Sequence, residues 1–412
     1  MRYVIAAGRV LTGPGGQVLR DGAVLVEQDR IAAVGPRTEV EARAGEDAER
    51  VDLPGGTLLP GLVDCHVHLV LDAGPDPVGA LEAADEAEVW AGMADRAARL
   101  VRTGVTTVRD LGDRDGLVFR LRAAIARGEL PGPRILAAGT PLTPPGGHCH
   151  YLGGEVDGPG SIRELIRRNA ARGADVIKVM ATGGGLTKDG PAIWESQFAP
   201  AELGLVVREA RAHGLPVAAH AHGTDGIAAA VAAGVDTVEH CTWMARGGFD
   251  VRPELVAELA AREIAVCPAA SPNWRGLADR FGRERAEEMF ARVRWMAEQG
   301  VRLLSGTDAG VPYAVFDDLV SSLGFYSHLG FPPARVLDMA TVDAARALGL
   351  EGVTGRLAPG HRADLLAVDG DPLTGLEALR AVRLVMTAGH PHHPVPTGPY
   401  GTGARSSLGV PE

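Results

Sequence analysis

Hydrophobic and polar positions follow two different rhythms along this chain. In the first 55 residues, short apolar stretches such as residues 3–5 and 23–26 alternate with glycine and proline, a pattern typical of antiparallel strands. Between about residues 56 and 345, short apolar runs alternate with longer stretches rich in alanine, arginine and glutamate. Strands that alternate with helices are typical of a parallel sheet. The second rhythm therefore predicts an α/β architecture for most of the chain.

Eight apolar runs in the α/β part have the length of buried strands. They are residues 62–66, 105–110, 134–139, 176–180, 217–220, 237–240, 264–268 and 302–308. Helical segments separate them, for example residues 86–103, 161–172, 200–213 and 224–234. Repeated units of this kind match a (β/α)8 TIM barrel, in which functional side chains lie at the carboxyl ends of the strands. We therefore predict this barrel over residues 56–345.

The region after the predicted barrel is again rich in strand-forming residues, notably at 354–368 and 384–389. These strands are expected to join those at the start of the chain, so that residues 1–55 and 346–390 form one small composite β-sandwich domain. Proline, glycine and serine are frequent in residues 391–412, and we expect this tail to be mobile.

Composition and charge exclude several functions. Among the 412 residues, 52 acidic against 41 basic side chains give a net charge of −11, without a long basic block, which argues against a nucleic-acid partner. No apolar run approaches the roughly 18 residues of a membrane span, and the N-terminus lacks the apolar segment of a secretory signal. Four cysteines are too few for a disulfide framework. We expect a cytoplasmic protein with a small-molecule substrate and no membrane partner; whether it forms a homo-oligomer is left open.

The first predicted barrel strand ends with His66 and His68, and residues two apart on a strand project to the same face. Imidazole is a common ligand for zinc and related metals, although one such pair alone also occurs in packing or surface roles. Further ligand-type residues lie in or at the ends of later predicted strands: Lys178 on the fourth, His220 on the fifth, His240 on the sixth and Asp308 on the eighth. Independent core histidines need not gather at one end of a barrel, so we predict a metal centre.

Three charged residues lie in or at the end of apolar strands. Arg109 and Asp110 end the second strand, and we interpret them as an ion pair that closes the barrel rather than as catalytic groups. Lys178 lies within an apolar strand that is expected to be buried, and burying a charged ammonium group costs free energy. Its side chain could reach solvent or pair with an acid. Alternatively, its amine reacts with carbon dioxide to form a carbamate, an anion whose two oxygens can bridge two cations.

The chemistry of these side chains indicates two divalent cations, which we expect to be zinc. The expected ligands are His66, His68 and Asp308 for the first cation and His220 and His240 for the second, with the Lys178 carbamate and a hydroxide bridging the pair. Two cations lower the pKa of bound water toward about 7, which gives a nucleophile at neutral pH. Asp308 would accept its proton and pass it to the leaving group, while the second cation polarises the scissile carbonyl.

Several motifs carry a resemblance to a known group of enzymes. They are PGLVDCHVHL at 60–69, GVTTVRDLG at 104–112, VIKVMATGG at 176–184, AHAHG at 219–223, VEHC at 238–241, GTDAG at 306–310 and GRLAPGHRADL at 355–365. In their order and spacing the chain resembles the amidohydrolase superfamily from about residue 2 to 390. Within it, the chain is similar to the imidazolonepropionase-like and prolidase-like branch of metal-dependent hydrolases.

This resemblance implies a binuclear metal hydrolase, usually a zinc enzyme, with a carboxylated lysine between the metals. The members closest in pattern cleave dipeptide-like or N-acyl amino acid amide bonds, often with proline on the carboxyl side. Imidazolonepropionases resemble the chain less, because they use one metal and lack the lysine motif. Some prolidase-like members have tyrosine where this chain has His222, so a tyrosine contact to a substrate carboxylate is absent at this position.

Four residues are candidates for acting on the substrate. His148, His150 and Tyr151 lie in a glycine-rich loop after the third strand, and we assign them to substrate binding, with an ordinary lid loop as the alternative. His222 follows the fifth strand. It is expected to bind the substrate and polarise its carbonyl, or else to support the neighbouring ligands.

These residues and the resemblance lead to one prediction and two alternatives. We predict a binuclear metal-dependent hydrolase of amide C–N bonds in dipeptide-like, N-acyl amino acid or cyclic amide substrates, with Asp308, Lys178 and His222 as catalytic residues. The first alternative is a mononuclear deaminase or an imidazolonepropionase-type hydrolase of a cyclic amide or amidine, which Lys178 disfavours. The second is a non-catalytic barrel protein that only binds its ligand, which the full ligand set disfavours.

Overall fold

The computed structural model describes residues 1–393, so most of the tail predicted to be mobile, residues 394–412, lies outside the described residues. The strands are β1 Arg2–Gly13, β2 Gln17–Glu27, β3 Arg30–Pro36, β4 Glu49–Pro60, β5 Leu62–Val67, β6 Val105–Asp110, β7 Arg134–Ala137, β8 Ile177–Met180, β9 Val217–Gly223, β10 Thr237–Ala245, β11 Gly248–Phe249, β12 Ala265–Cys267, β13 Leu365–Asp369, β14 Val382–Thr387 and β15 His390–His392. The α-helices are α1 Arg37–Ala44, α2 Pro77–Ala83, α3 Glu86–Arg102, α4 Leu117–Ala126, α5 Pro159–Ala171, α6 Pro200–Ala212, α7 Thr224–Ala233, α8 Pro253–Ala261, α9 Leu277–Phe281, α10 Arg283–Glu298, α11 Leu319–His328, α12 Pro333–Met339 and α13 Val342–Ala347. In this part of the chain, none of the helices combines the length and apolar character that crossing a membrane requires.

The predicted (β/α)8 barrel is confirmed, and its ring of strands can be followed through backbone hydrogen bonds. β5, β6 and β7 pair in parallel, and so do β8, β9, β10 and β12 in that order. Three parallel bridges join these pieces: Leu142 with Val179, Val266 with Leu303, and Val67 with Ala309. The last two bridges belong to an eighth segment, residues 303–309, which closes the ring against β5.

The eighth segment differs from the regular strand expected at residues 302–308. Leu303 and Ala309 form isolated bridges, and the residues between them are not part of a strand. The reason lies in the partners of Thr307, whose backbone N–H donates to Oδ1 of Asp64 (3.1 Å) and whose hydroxyl donates to Oδ2 (2.6 Å). A buried carboxylate thus replaces part of the strand ladder next to Asp308.

α3 illustrates how local sequence positions a helix on the barrel. Asp85 accepts a hydrogen bond from the backbone N–H of Glu88 (2.9 Å), and the Glu88 carboxylate accepts one from the N–H of Asp85 (3.0 Å). This reciprocal capping box fixes the first turn. Val89, Met93 and Ala97 recur at every fourth position and pack into the main core. The helix therefore covers the barrel with the face that its sequence makes apolar.

Strands from both chain ends form the predicted composite β domain. Seven strands pair in the order β15-β14-β13-β4-β1-β2-β3, so that β13 lies directly against β4. β4 ends at Pro60, and the first barrel strand begins at Leu62. A Cβ on the intervening Gly61 would lie 2.1 Å from Oγ1 of Thr106, so the link between the two domains has room only for glycine. The β domain thereby adjoins the strand that carries His66.

Gly306 allows the eighth segment to pack closely against its neighbours. A Cβ at this position would lie 2.5 Å from Sγ of Cys267 and 3.0 Å from Cβ of His66. Both neighbours are buried, and Cys267 forms no disulfide. The absence of a side chain at Gly306 therefore sets the distance between the segment that carries Asp308 and the strand that carries His66.

Gly306→Ala should destabilise the protein by about 1–3 kcal/mol, because the added methyl group overpacks a closed region. The matched control is Gly324→Ala within α11, where a Cβ would meet nothing within 4 Å. That change should be neutral or stabilise by up to about 1 kcal/mol, because alanine is the better helix former. Thermal unfolding followed by circular dichroism measures both variants. Equal melting temperatures would contradict the packing role of Gly306.

Candidate active site

The first predicted ligand group is assembled where β5 meets the eighth segment. His66 and His68 are buried, and Nε2 of each ring lies 3.4 Å from Oδ1 of Asp308. Ligand atoms of the three residues all lie within 4.8 Å of one another. Barrel closure brings Asp308 here, because Val67 pairs with Ala309. One carboxylate oxygen and two imidazole nitrogens at this separation can share a cation.

β9 and β10, which are neighbours in the barrel, supply the second ligand group. The ring centroids of His220 and His240 lie 4.7 Å apart. His222 follows His220 by two residues and stacks on His240 with 4.4 Å between the centroids. Ligand atoms of these three residues also lie within 4.8 Å of one another. His222 was assigned from the sequence to catalysis and substrate binding, and its position makes it an additional candidate ligand.

Hydrogen bonds orient the imidazoles of β9. The Nε2–H of His220 donates to the carbonyl oxygen of Gly183 (3.1 Å), which leaves Nδ1 as the nitrogen available to a metal. Nδ1 of His222 lies 2.9 Å from the hydroxyl of Thr242, which leaves its Nε2 available. Fixing one ring nitrogen in this way selects which nitrogen faces a bound metal.

Two predicted ligands adopt a backbone conformation that residues with side chains seldom have. φ is +67° at His240 and +56° at Asp308. Positive φ brings the Cβ close to the backbone of a non-glycine residue and costs free energy. Such strain persists where the surrounding structure enforces it, and it is concentrated at functional sites. Here it aims two ligand side chains from the ends of barrel segments.

Lys178 lies on β8, and its side chain is almost completely buried. Within residues 1–393, its Nζ has no hydrogen-bond partner, which is rare for a buried amine. Burial lowers the pKa of Lys178 and thereby favours the neutral amine. Burial also lowers the pKa of His66 and of His240, and the nearby Lys178 amine adds to both shifts. Lys178 pairs with Ala218 on β9, two residues before His220, so it lies on the strand next to the second ligand group.

Burial keeps four of the imidazoles, those of His66, His220, His222 and His240, neutral at neutral pH. It lowers the pKa of His66 and of His222 to about 4, and that of His220 and His240 well below the ordinary value. Burial alone would raise the pKa of Asp308, but the facing histidines lower it to about 2 and keep the carboxylate ionised. Neutral imidazole and ionised carboxylate are the forms that bind zinc and similar cations, so the donor set fits such a metal.

A buried ion pair beneath the first ligand group was not identified from the sequence. Glu239 on β10 is fully buried, and its Oε2 accepts a hydrogen bond from Nδ1 of His66 (2.9 Å). Its Oε1 accepts from Nη2 of Arg109 (2.8 Å) and from the hydroxyl of Thr237 (2.6 Å). Arg109 therefore pairs with Glu239 across the barrel, and the predicted Arg109–Asp110 ion pair is wrong.

The sequence carried only a partial signal of this arrangement. Arg109 and Glu239 are charged residues within apolar strands, but 130 positions separate them, so the pairing depends on how the barrel closes. Asp110 instead accepts hydrogen bonds from the backbone N–H groups of Leu69 (2.8 Å) and Gly112 (3.2 Å). The pairing matters because a carboxylate on Nδ1 of a ligand histidine fixes the ring and its tautomer, which here points Nε2 of His66 toward Asp308.

The loop after β7 contributes one of its three predicted substrate-binding residues to this cluster. The ring centroid of His148 lies 4.6 Å from that of His220, and burial lowers the pKa of His148 to about 3. His150 and Tyr151 contact each other, with ring centroids 6.1 Å apart, and the Tyr151 hydroxyl donates to Sγ of Cys149 (3.5 Å). Within residues 1–393, no ring contact joins His150 or Tyr151 to the ligand groups. Their part in substrate binding stays a prediction.

Known proteins are similar to this chain in sequence and fold over most of their length. A sequence model of the amidohydrolase family matches residues 57–392, and one of the bacterial imidazolonepropionase-like composite domain matches residues 22–46. Ochratoxinase from Aspergillus niger is 28% identical over 98% of this chain and 89% of its own length. Imidazolonepropionase from Aromatoleum aromaticum is 32% identical over 84% of this chain and 85% of its own. The crystal structure of a Xaa-Pro dipeptidase with methionine bound in the active site has a TM-score of 0.83 at 28% identity, covering 95% of this chain and 99% of that one.

Glu239→Gln should weaken zinc binding by roughly 10- to 100-fold, because His66 loses the carboxylate that orients it. Titration of metal-free protein in competition with a chromophoric chelator measures this affinity. Glu258→Gln is the matched control, since Glu258 pairs with Arg262 on the surface of α8 and should leave zinc affinity unchanged.

The single change also leaves Arg109 buried without its carboxylate, which destabilises the fold. The double variant Arg109→Met/Glu239→Gln removes that stranded charge and provides the same titration if the single variant does not fold. Zinc affinity equal to that of the unaltered protein, in either folded variant, would contradict the orienting role of Glu239.

Proposed function

This chain belongs to the amidohydrolase family and is a hydrolase, and on that premise we propose that it cleaves amide C–N bonds with two divalent cations, expected to be zinc. The observation that carries the proposal is the environment of Lys178. This buried amine has no hydrogen-bond partner among residues 1–393, and its strand, β8, pairs with β9, which carries His220 of the second group. A site for one cation would need only one of the two ligand groups and would give the Lys178 amine no role.

Two sets of ligands are proposed, one for each cation: His66, His68 and Asp308 for the first, and His220 and His240 for the second. His222 lies at ligand distance from the second set. Bound cations of this kind lower the pKa of water toward about 7 and polarise a carbonyl oxygen. The contribution of the chain is to keep His66, His220 and His240 neutral and Asp308 ionised.

Lys178 would act as a carbamate. Its neutral amine adds to carbon dioxide and releases one proton, which forms an N–C bond and gives an anion with two oxygens. That anion satisfies an amine that otherwise lacks partners. Residue choice supports this, since of the 41 lysines and arginines in the chain only Lys178 and Lys188 are lysines. An arginine at this position would stay protonated and could not take part in the same reaction.

Asp308 would move the proton of the reaction. Its carboxylate is ionised because the facing histidines outweigh burial and lower its pKa to about 2. Its side chain is 18% exposed, whereas that of His66 is 1% exposed, so Asp308 is the group of the first set that solvent and substrate can reach. It would accept a proton from the attacking water and donate it to the nitrogen of the leaving amine. His222 would polarise the substrate carbonyl by donating its Nε2–H, in the tautomer in which Nδ1 accepts a hydrogen bond from the Thr242 hydroxyl (2.9 Å).

The proposed substrates are dipeptide-like compounds, N-acyl amino acids and cyclic amides. They are consistent with relatives that bear the names ochratoxinase, Xaa-Pro dipeptidase and imidazolonepropionase. The similarity to imidazolonepropionase supports a second candidate, a one-metal hydrolase of a cyclic amide or amidine. The number of cations per active chain separates the two, because the first function requires two and the second requires one.

Lys178→Ala should reduce the bound cations from two per chain to at most one and abolish amide hydrolysis. Short carboxylates such as formate should restore part of the activity by supplying the missing oxygens. Lys188→Ala is the matched control, because the side chain of Lys188 is 87% exposed and its removal should affect neither readout.

Elemental analysis gives the metal content. Carbon-13 NMR under labelled carbon dioxide should show a carbamate signal that Lys178→Ala alone removes. Unaltered rates and metal content in Lys178→Ala would disprove the carbamate.

Asp308→Asn should retain bound metal but lower kcat by about 100-fold or more, because the proton carrier is lost. Steady-state kinetics and metal analysis of the same preparation test this. Asp317→Asn serves as the control, since Asp317 pairs with Arg99 on a partly exposed surface and should leave kcat unchanged. A kcat close to that of the unaltered enzyme would remove Asp308 from this role.

A further inference from the structure

Two loops that follow β7 and β8 hold the side chain of His148 beside the candidate active site. The first loop, residues 138–158, contains His148, and the second is formed by residues 181–199. The imidazole of His148 is buried, and its ring centroid lies 4.6 Å from that of His220 in the second ligand group. Contacts from the second loop surround this imidazole and leave one of its nitrogens, Nε2, without a partner among residues 1–393.

Gln197 of the second loop fixes the backbone of His148. Oε1 of Gln197 accepts a hydrogen bond from the backbone N–H of His148 (2.7 Å), and Nε2 of Gln197 donates to the carbonyl oxygen of Met180 (2.6 Å). Met180 is the last residue of β8, the strand that carries Lys178. One amide side chain therefore connects His148 to the end of a barrel strand.

Thr187, also in the second loop, contacts the ring of His148 itself. Its hydroxyl oxygen lies 3.1 Å from Nδ1 of His148 and accepts a hydrogen bond from the backbone N–H of Cys149 (2.9 Å). A hydroxyl group has one hydrogen to donate and two lone pairs. Within residues 1–393, the only acceptor in reach of that hydrogen is Nδ1 of His148. Nδ1 then accepts, and a neutral imidazole whose Nδ1 accepts carries its proton on Nε2.

Gly184 covers one face of the His148 ring and leaves the Nε2 edge clear. A Cβ on Gly184 would lie 2.4 Å from both Cε1 and Nε2 of the ring and 2.7 Å from Cδ2. A point in line with the Nε2–H bond would be much farther from the two carbons than from Nε2, so these similar distances place Gly184 above the plane of the ring. The Nε2–H bond is therefore not directed at Gly184, where only glycine leaves room for the imidazole.

We propose that Thr187 is a positioning residue that holds His148 in the Nε2–H tautomer, so that this imidazole donates a hydrogen bond to an oxygen of the bound substrate. The inference rests on the amide hydrolysis proposed above and adds a residue to its machinery. A nitrogen that carries a proton has no lone pair for a cation, so His148 is a donor and not a further metal ligand. Thr187 is 39 positions away along the chain and acts only through His148.

Nitrogen-15 NMR of the zinc-loaded full chain, labelled in its histidines, tests the tautomer directly. The signals of His148 are those that His148→Gln removes. In the unaltered chain, Nε2 should carry the proton and Nδ1 should be the unprotonated nitrogen. A proton on Nδ1 would overturn the proposal, and this result needs no variant of Thr187. In Thr187→Val the preference should be lost, whereas Thr187→Ser should retain it; an unchanged tautomer in Thr187→Val would also overturn the proposal.

Kinetics separate a positioning role from a structural one. Thr187→Val keeps the shape of the side chain and should lower kcat/KM for N-acetylphenylalanine by roughly 10-fold, mainly through a higher KM, because the donor to the substrate is misplaced. Thr187→Ser should recover most of this loss. Simple destabilisation would instead lower the apparent kcat at an unchanged KM, since fewer molecules would be active. Thr374→Val is the matched control, because the Thr374 hydroxyl donates to the Asp371 carbonyl (2.8 Å) in an exposed turn of the β domain.

A double variant shows whether Thr187 acts through His148. Adding Thr187→Val to His148→Gln should cause no further loss of kcat/KM, because the group that Thr187 positions is already absent. Losses that add in full would show two separate roles and would overturn the proposal. If the unaltered chain hydrolyses no amide, the proposed function fails, and the tautomer measured by NMR then decides the role of Thr187 by itself.

Discussion

The structure depends on how charge is buried inside a closed barrel. Arg109 and Glu239 lie on opposite sides of the ring, on β6 and β10, and both are buried. A buried charge is destabilising unless it is paired and fully hydrogen-bonded. Arg109 meets this condition by donating to the Cys65 carbonyl (2.8 Å), to the Thr237 hydroxyl (3.0 Å) and to Glu239 (2.8 Å). One guanidinium thus connects β5, β6 and β10 and holds Glu239 beneath His66.

A second buried carboxylate sets the relation between the first and last barrel segments. Oδ1 of Asp64 accepts hydrogen bonds from the backbone N–H groups of His66 (3.2 Å) and Thr307 (3.1 Å). His66 is a predicted ligand on β5, and Thr307 directly precedes the predicted ligand Asp308 on the eighth segment. The first ligand group is therefore positioned by a network of buried polar groups beneath it, which explains why its histidines need no support from solvent.

Lys178 is the contrasting case. Arg109 has a carboxylate opposite it, whereas the Lys178 amine has no hydrogen-bond partner within residues 1–393. Such an arrangement costs stability and is retained in native proteins mostly for a chemical reason. Cations bound to the histidine groups and a carbamate on the amine would supply the missing partners.

The sequence alone determined the barrel, the composite β domain and the cluster of strand-end histidines, because these follow from local periodicity and from the rule that active sites lie at one end of parallel strands. From the sequence, His66, His68 and Asp308 are predicted to form one ligand group, although the closure of the ring brings them together. Only the tertiary structure decided that Arg109 pairs with Glu239 instead of Asp110 and that His222 joins the second group. Each of these contacts joins residues from different strands or loops, and neither spacing nor residue type records which way a side chain turns once the barrel has closed.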